Sequence, residues 1–225
     1  MGRLLLNIDL GELPDEPIEL YALAHLASVA CGGHAGDTAS MRRAVASAQA
    51  HGTLVAAHPS YPDREGFGRR SLALSPDALA RSVAEQCAAL AAVVREGAGE
   101  PIVRLKAHGA LYHDVARDPA LRAAFLDGSA RGLGVTPAQL VVLGPPGLEV
   151  APAQLLREGF ADRGYGPDER LLPRGTPGAL LDAAHAARQA ARLVREARFE
   201  TLCVHGDSPD AVVTARAVRA VLDAG

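Results

Sequence analysis

Short apolar runs that stop in polar residues, each followed by apolar positions at helical spacing, recur along this chain. That alternation marks βα units and a largely parallel sheet. Runs at residues 4–9, 27–31, 53–57, 102–106, 139–143, 159–162 and 201–205 predict seven strands, the sixth from the faintest pattern. Three helix starts follow from Ser or Thr before Pro, which pairs an N-cap acceptor with a first-turn residue that needs no N–H partner. Ser75-Pro76, Thr176-Pro177 and Ser208-Pro209 therefore predict helices over 76–96, 177–198 and 209–224. In the first, Leu79, Val83, Leu90 and Val94 recur at helical spacing. Strand-helix alternation of this kind suits either a closed barrel or an open doubly wound sheet.

Composition narrows the picture. The 225 residues are 48% hydrophobic and 22% charged, a globular mix. With no Gly/Ser-rich linker, charge block or repeat, one domain over 1–225 is expected. The net charge of −3 offers no basic face for a phosphate backbone, so no nucleic-acid partner is expected. Three widely spaced cysteines, Cys31, Cys87 and Cys203, form no CxxC pair and suit a reducing compartment. The apolar run at the start is too short for a signal peptide or membrane span, so a cytoplasmic protein without a membrane partner is expected.

The candidate chemistry lies where the strands end. In parallel α/β folds the loops beyond the C-terminal strand ends converge on the functional face. Here those loops carry Asp9 and Glu12; His34 and Asp37; His58; Lys106 and His108; then His205 and Asp207. Imidazoles and carboxylates crowded together exchange protons near neutral pH, and an ammonium steadies a developing oxyanion. Lys106 is the only lysine among 23 basic residues. Arg69 and Arg70 can form a carboxylate clamp, with Tyr61 and Tyr112 as further binding candidates. Cys31 beside His34 has the form of a thiol-imidazole pair, against the commoner reading of a buried filler. His25, His51 and His185 fall in predicted helices and read as structural, and His113 stays open. No P-loop, G-x-S-x-G elbow or dinucleotide fingerprint is present.

Seven segments, in order, resemble the LamB/YcsF family over nearly the whole chain. They are Asn7-Ile8-Asp9-Leu10-Gly11-Glu12, Ala30-Cys31-Gly32-Gly33-His34-Ala35-Gly36-Asp37, the His58-Pro59-Ser60-Tyr61-Pro62-Asp63 stretch running on to Arg69-Arg70, Lys106-Ala107-His108-Gly109-Ala110-Leu111-Tyr112, the stretch 158–165, the stretch 173–179, and Cys203-Val204-His205-Gly206-Asp207. The resemblance implies a seven-stranded (β/α) barrel similar to glycoside hydrolase and deacetylase barrels. It also implies the A-type role in 5-oxoprolinase: opening of the 5-oxoproline lactam to glutamate, with ATP as co-substrate and two partner subunits of B and C type. Gly33 and Ala107 stand where the family has an aromatic residue and a proline, changes expected to widen the pocket or alter substrate preference. The connection between Glu12 and Ala27 is shorter than usual there. No metal is required by this scheme. The alternatives are a metal-dependent deacetylase or amidohydrolase with Asp9, His34 and His58 as ligands, and a noncatalytic lactam- or carbohydrate-binding module.

Overall fold

The computed structural model describes residues 4–97 and 99–224. Seven strands pair in parallel in chain order and close on themselves: β1 (Leu5–Leu10), β2 (Leu26–Ala30), β3 (Leu54–His58), β4 (Arg104–Lys106), β5 (Val141–Gly144), β6 (Gln154–Phe160) and β7 (Thr201–His205). The closure runs from Leu5 opposite Thr201 to Asp9 opposite His205. The barrel, rather than the open sheet, is thus the form the strand-helix alternation takes.

Register decides which side chains face the axis. Starting from Asn7 and Asp9, the pairing carries the inward position through Leu26 and Ser28, Ala56 and His58, Lys106, Leu143, Leu156 and Glu158 to Cys203 and His205. Leu26, Ala56 and Leu143, with Leu156 packed on them, form an apolar plug of their own. The remaining inward positions are polar. The alternate residues, Leu6, Ile8 and Leu10 among them, join the main core between strands and helices.

The outer shell comprises α1 (Glu19–Leu23), α2 (Thr38–Ala50), α3 (Pro76–Glu96), α4 (Ala110–Arg117), α5 (Pro119–Leu133), α6 (Ala183–Glu196) and α7 (Ala211–Ala224). Ser75 caps α3 as its sequence signals, its hydroxyl accepting from the Ala78 N–H. The Thr176-Pro177 start is corrected. Asp182 caps α6 instead, accepting from the His185 N–H at 2.8 Å. The segment before it is held extended, with Leu180 bridging Arg163 and the Leu181 N–H donating to the Asp162 carbonyl. The sixth strand begins five residues before the predicted run. His25 lies before β2 rather than in a helix, its Nδ1 accepting from the Leu6 N–H. Among the described residues no helix is long and apolar enough to cross a membrane.

Helix α5 meets α3 through glycines. A Cβ on Gly128 would press into the Ala80 backbone, and one on Gly132 into Ala84 and Cys87. Gly128→Ala gains about 1 kcal/mol of helix propensity but forces two backbones apart, an overpacking cost of about 1–3 kcal/mol. A lowered urea midpoint is expected; an unchanged or raised one would show that the two helices have room to spare.

Candidate active site

At the C-terminal end of the barrel the polar inward positions meet. Lys106 extends from β4 across the axis, its Nζ 2.8 Å from Asp9 Oδ1, 3.0 Å from Glu158 Oε1, 3.0 Å from Cys203 Sγ and 3.3 Å from Asn7 Oδ1. Burial alone would lower the ammonium's pKa, yet the Asp9 carboxylate, the Cys203 thiol and Glu158 hold it well above the ordinary lysine range. Burial would likewise raise Asp9, but His58 and Lys106 hold it well below the usual carboxylate value. An ammonium has three protons, and these neighbours account for all of them. Lys106 is thereby held against Asp9, Asn7 and Cys203 at the cavity floor.

The other oxygen of Asp9, Oδ2, lies 3.4 Å from His58 Nε2 and 3.9 Å from His205 Nε2. Behind His205 stands Asp162, whose carboxylate accepts from the His205 N–H and lies 3.0 Å from Nδ1. Burial pushes the imidazole down, but the Asp162 charge and hydrogen bond raise it above its ordinary value. Asp162 is itself lowered: burial opposes ionisation and His205 overcomes it. Asp162 thus favours the protonated form of the buried His205 ring, whose Nε2 lies 3.9 Å from Asp9 Oδ2.

A second cluster adjoins the first. Glu12 Oε1 lies 2.9 Å from His34 Nε2, 3.2 Å from His108 Nδ1 and 3.9 Å from His58 Nε2. His34 and His108 stack face to face with centroids 3.6 Å apart. Burial pushes His34 down to about 4, with the Glu12 hydrogen bond opposing. His34 Nδ1 is buried without a hydrogen-bond partner among the described residues. These four donor atoms lie within 4.8 Å of one another, as do those of Asp9, Cys203 and His205.

Loop backbone holds this cluster in place. A Cβ on Gly68, at φ +64°, would strike the His34 and His108 side chains, and one on Gly109, at φ +59°, would strike the Gly68 carbonyl. Only glycine allows both the turn and the approach. Phe67 takes the left-handed region at φ +52°, uncommon for an aromatic residue. That turn presents its carbonyl to His108 Nε2 at 3.0 Å. Glu16 accepts from the Gly11 and Glu12 N–H groups and so fixes the turn that carries Glu12.

A cavity of about 710 Å3 opens onto this face. Asp9, His58, Lys106, His108, Glu158 and His205 line its floor, and Arg69, Arg163 and Arg174 bring positive charge to its walls. Tyr112 also lines it, whereas Glu12 and His34 do not. Arg69 pairs with Asp207 and lies over the Phe67 ring, so these two expected site residues stand together at the cavity's edge.

Several expectations need correction. Asp37 is exposed and caps α2, accepting from the Ser40 N–H at 2.8 Å. Arg70 pairs with Asp63 and is absent from the cavity lining. Tyr61 is buried, its hydroxyl donating to Asp114 at 2.9 Å. Cys31 donates to the Val29 carbonyl and accepts from the His58 N–H, and burial holds its thiol protonated; it is filler, not a nucleophile. The metal triad Asp9, His34 and His58 regroups, with Glu12 and His108 replacing Asp9. Gly33 does not widen the pocket, because Gln86 and Ser60 fill the space that a side chain there would take. The functional residues that the sequence pattern misses are Glu158 and Asp162. Both stand in the motif-like segment 158–165, and their acidic character beside a strand end is the signal that could have found them.

The LamB/YcsF family model matches residues 4–225. The chain belongs to the LamB/YcsF family. It is 40% identical over 244 residues to the third 5-oxoprolinase A-type subunit of Pseudomonas aeruginosa, covering 98% of this chain and 97% of that protein. To the 5-oxoprolinase A-type subunit of Methylococcus capsulatus it is 41% identical over 245 residues, covering 97% and 92%. Among solved structures, the lactam utilization protein of Thermus thermophilus superposes with a TM-score of 0.87 at 34% identity, over 99% of this chain and 97% of that one. A family 4 carbohydrate esterase from Streptomyces lividans, at 13% identity and a TM-score of 0.57 over 99% and 88% of the two chains, shares the barrel fold alone.

In this LamB/YcsF barrel the Asp162–His205 pair has a defined pH window. Raised His205 contributes stability fully below its unfolded pKa of about 6.5 and loses it as pH rises through the folded value. Lowered Asp162 contributes above about 3.9 and loses it as pH falls through its folded value. The pair is therefore most stabilising between these limits. In Asp162→Asn, burial is left unopposed by that carboxylate, and the His205 titration followed by NMR is expected to move to lower pH. An unchanged midpoint would mean that Asp162 does not control the ring.

Proposed function

We propose that this chain is the ring-opening subunit of an ATP-dependent 5-oxoprolinase, working with B- and C-type partner subunits. The observation that carries the reading is the meeting of Asp9 and His205 across the cavity floor, in a chain about 40% identical over nearly its whole length to proteins named as the A-type subunit of 5-oxoprolinase. Opening a lactam by water needs a group to take a proton from the water and another to give one to the ring nitrogen as the C–N bond breaks. Asp9 Oδ2, with its sister oxygen held by Lys106, takes the first role. His205, kept protonated by Asp162, takes the second. Arg69, Arg163 and Arg174 supply the positive wall that an anionic substrate requires.

A carboxylate with a strongly lowered pKa is a weak base, so this site suits an electrophile already activated. Phosphorylation of the lactam oxygen at the expense of ATP, by a partner subunit, would provide one: water adds to that carbon, the C–N bond breaks to leave γ-glutamyl phosphate, and a second water releases glutamate and inorganic phosphate. His34 is left out of the proton-transfer scheme because it does not line the cavity.

The test is glutamate release from 5-oxoproline with ATP, with and without the B- and C-type subunits. Release is expected only with all three, falling about 100-fold or more in His205→Asn, as loss of a general acid does. Asp37→Ala, which removes only a helix cap, is expected to stay within about twofold once folded protein is matched. Full activity in His205→Asn would remove this assignment.

A further inference from the structure

We propose that Glu12, His58 and His108 bind one divalent transition-metal ion of the zinc class, with His34, stacked on His108, holding Glu12 at 2.9 Å rather than ligating the ion. The binding rests on geometry alone; its use in lactam opening rests on the function proposed above.

Proton placement comes first. His58 Nδ1 lies 2.9 Å from the Lys106 carbonyl oxygen, and His108 Nε2 lies 3.0 Å from the Phe67 carbonyl oxygen. Carbonyls only accept, so each of these nitrogens carries the ring's proton in its neutral form. With both rings neutral, the opposite nitrogens present bare lone pairs, His58 Nε2 to His108 Nδ1 at 3.0 Å and also to Asp9 Oδ2 at 3.4 Å, so the arrangement calls for a cation at this point, a proton or a metal ion. Two lone pairs at that distance repel unless something positive lies between them or beside them. Glu12 Oε1 is the third electron-rich atom at the same point, and among the described residues its ion-pair partners are imidazoles only. A carboxylate 1% exposed with no lysine or arginine beside it is costly to bury.

A metal ion resolves all three problems together. Ligand bonds of about 2.1 Å put neighbouring donors about 3.4 Å apart in a tetrahedron and about 3.0 Å apart in an octahedron. The three donor separations among Glu12, His58 and His108 are 3.0, 3.2 and 3.9 Å. Two imidazoles and one carboxylate select zinc-like ions over magnesium or calcium, which prefer oxygen. The carbonyls behind His58 and His108 do what groups behind metal-bound histidines do: they fix the tautomer and the ring plane. Phe67 accepts a left-handed backbone to provide one of them.

Asp9 is a poorer ligand than the sequence suggested, because the Lys106 ammonium at 2.8 Å repels a cation from it. It stands instead beside the cluster, 3.4 Å from His58 Nε2. His58 and His108 line the cavity, so an ion bound between them would sit at its floor, where it can polarise a water next to Asp9.

Cobalt(II) titrated into tag-free wild-type protein is the probe. One equivalent is expected to bind with the intense visible bands of low-coordinate cobalt, and Glu12→Gln and His108→Ala are each expected to weaken binding by about 100-fold. No stoichiometric uptake by the wild type, or equal uptake by both variants, overturns the site. Should the variants fail to fold, 15N imidazole spectra of the wild type decide. Zinc must shift His58 Nε2 and His108 Nδ1 while the protons on His58 Nδ1 and His108 Nε2 persist, and unchanged spectra overturn the proposal. Metal uptake without lactam hydrolysis leaves the site standing and removes the function; hydrolysis without uptake does the reverse.

Discussion

A lysine ammonium buried inside a barrel is tolerable only with its charge neutralised and its protons all received, and Lys106 meets both conditions. Asp9 on β1 and Glu158 on β6 supply the charge, while Asn7 and Cys203 supply further acceptors. Removing the lysine would strand two buried carboxylates, and breaking a buried pair in that way costs about 3–5 kcal/mol. Strands far apart in sequence are thereby tied at one level of the axis. The same tie fixes Asp9 in orientation and keeps it ionised, so the scaffold's requirement and the site's chemistry are one interaction.

Around that centre the barrel separates two tasks. Toward the cavity, Asp9 faces His205, whose pKa Asp162 raises. Beside it, Glu12 gathers three imidazoles whose planes are set by carbonyls and by the close approach of Gly68. The first arrangement sets a carboxylate against an imidazole, and the second gathers electron-rich atoms at a point. His58 touches both, through 3.4 Å to Asp9 Oδ2 and 3.0 Å to His108 Nδ1, so a change in either cluster is felt by the other.

Much of this is legible in the chain. The polar residues after the apolar runs are the right place to look, and the run at 201–205 and the helix at 76–96 match β7 and α3 end to end. The sixth strand shows where pattern runs out. Gln154–Phe160 is half-exposed over its first residues, without a clean apolar run, so its pattern points to a start several residues late. Glu158 then falls ahead of the expected strand and cannot be recognised as facing the axis. Asp37 errs the other way: its capping box with Ser40 is a local pattern, masked by the functional residues beside it. Tyr61 depends on Asp114, 53 positions away, a contact that no local pattern encodes. Tautomers, likewise, are set by carbonyls brought near only by folding.

The uniqueness of Lys106 makes the central interaction directly observable. Protein labelled with 15N-lysine carries one side-chain ammonium, whose titration and solvent exchange can be followed without assignment. A buried, fully paired ammonium predicts a single slowly exchanging signal that stays protonated well above the ordinary lysine pKa of about 10.4 and shifts in Glu158→Gln. A signal that exchanges freely, titrates near that ordinary value and ignores the substitution would mean that the ammonium is not held inside the barrel.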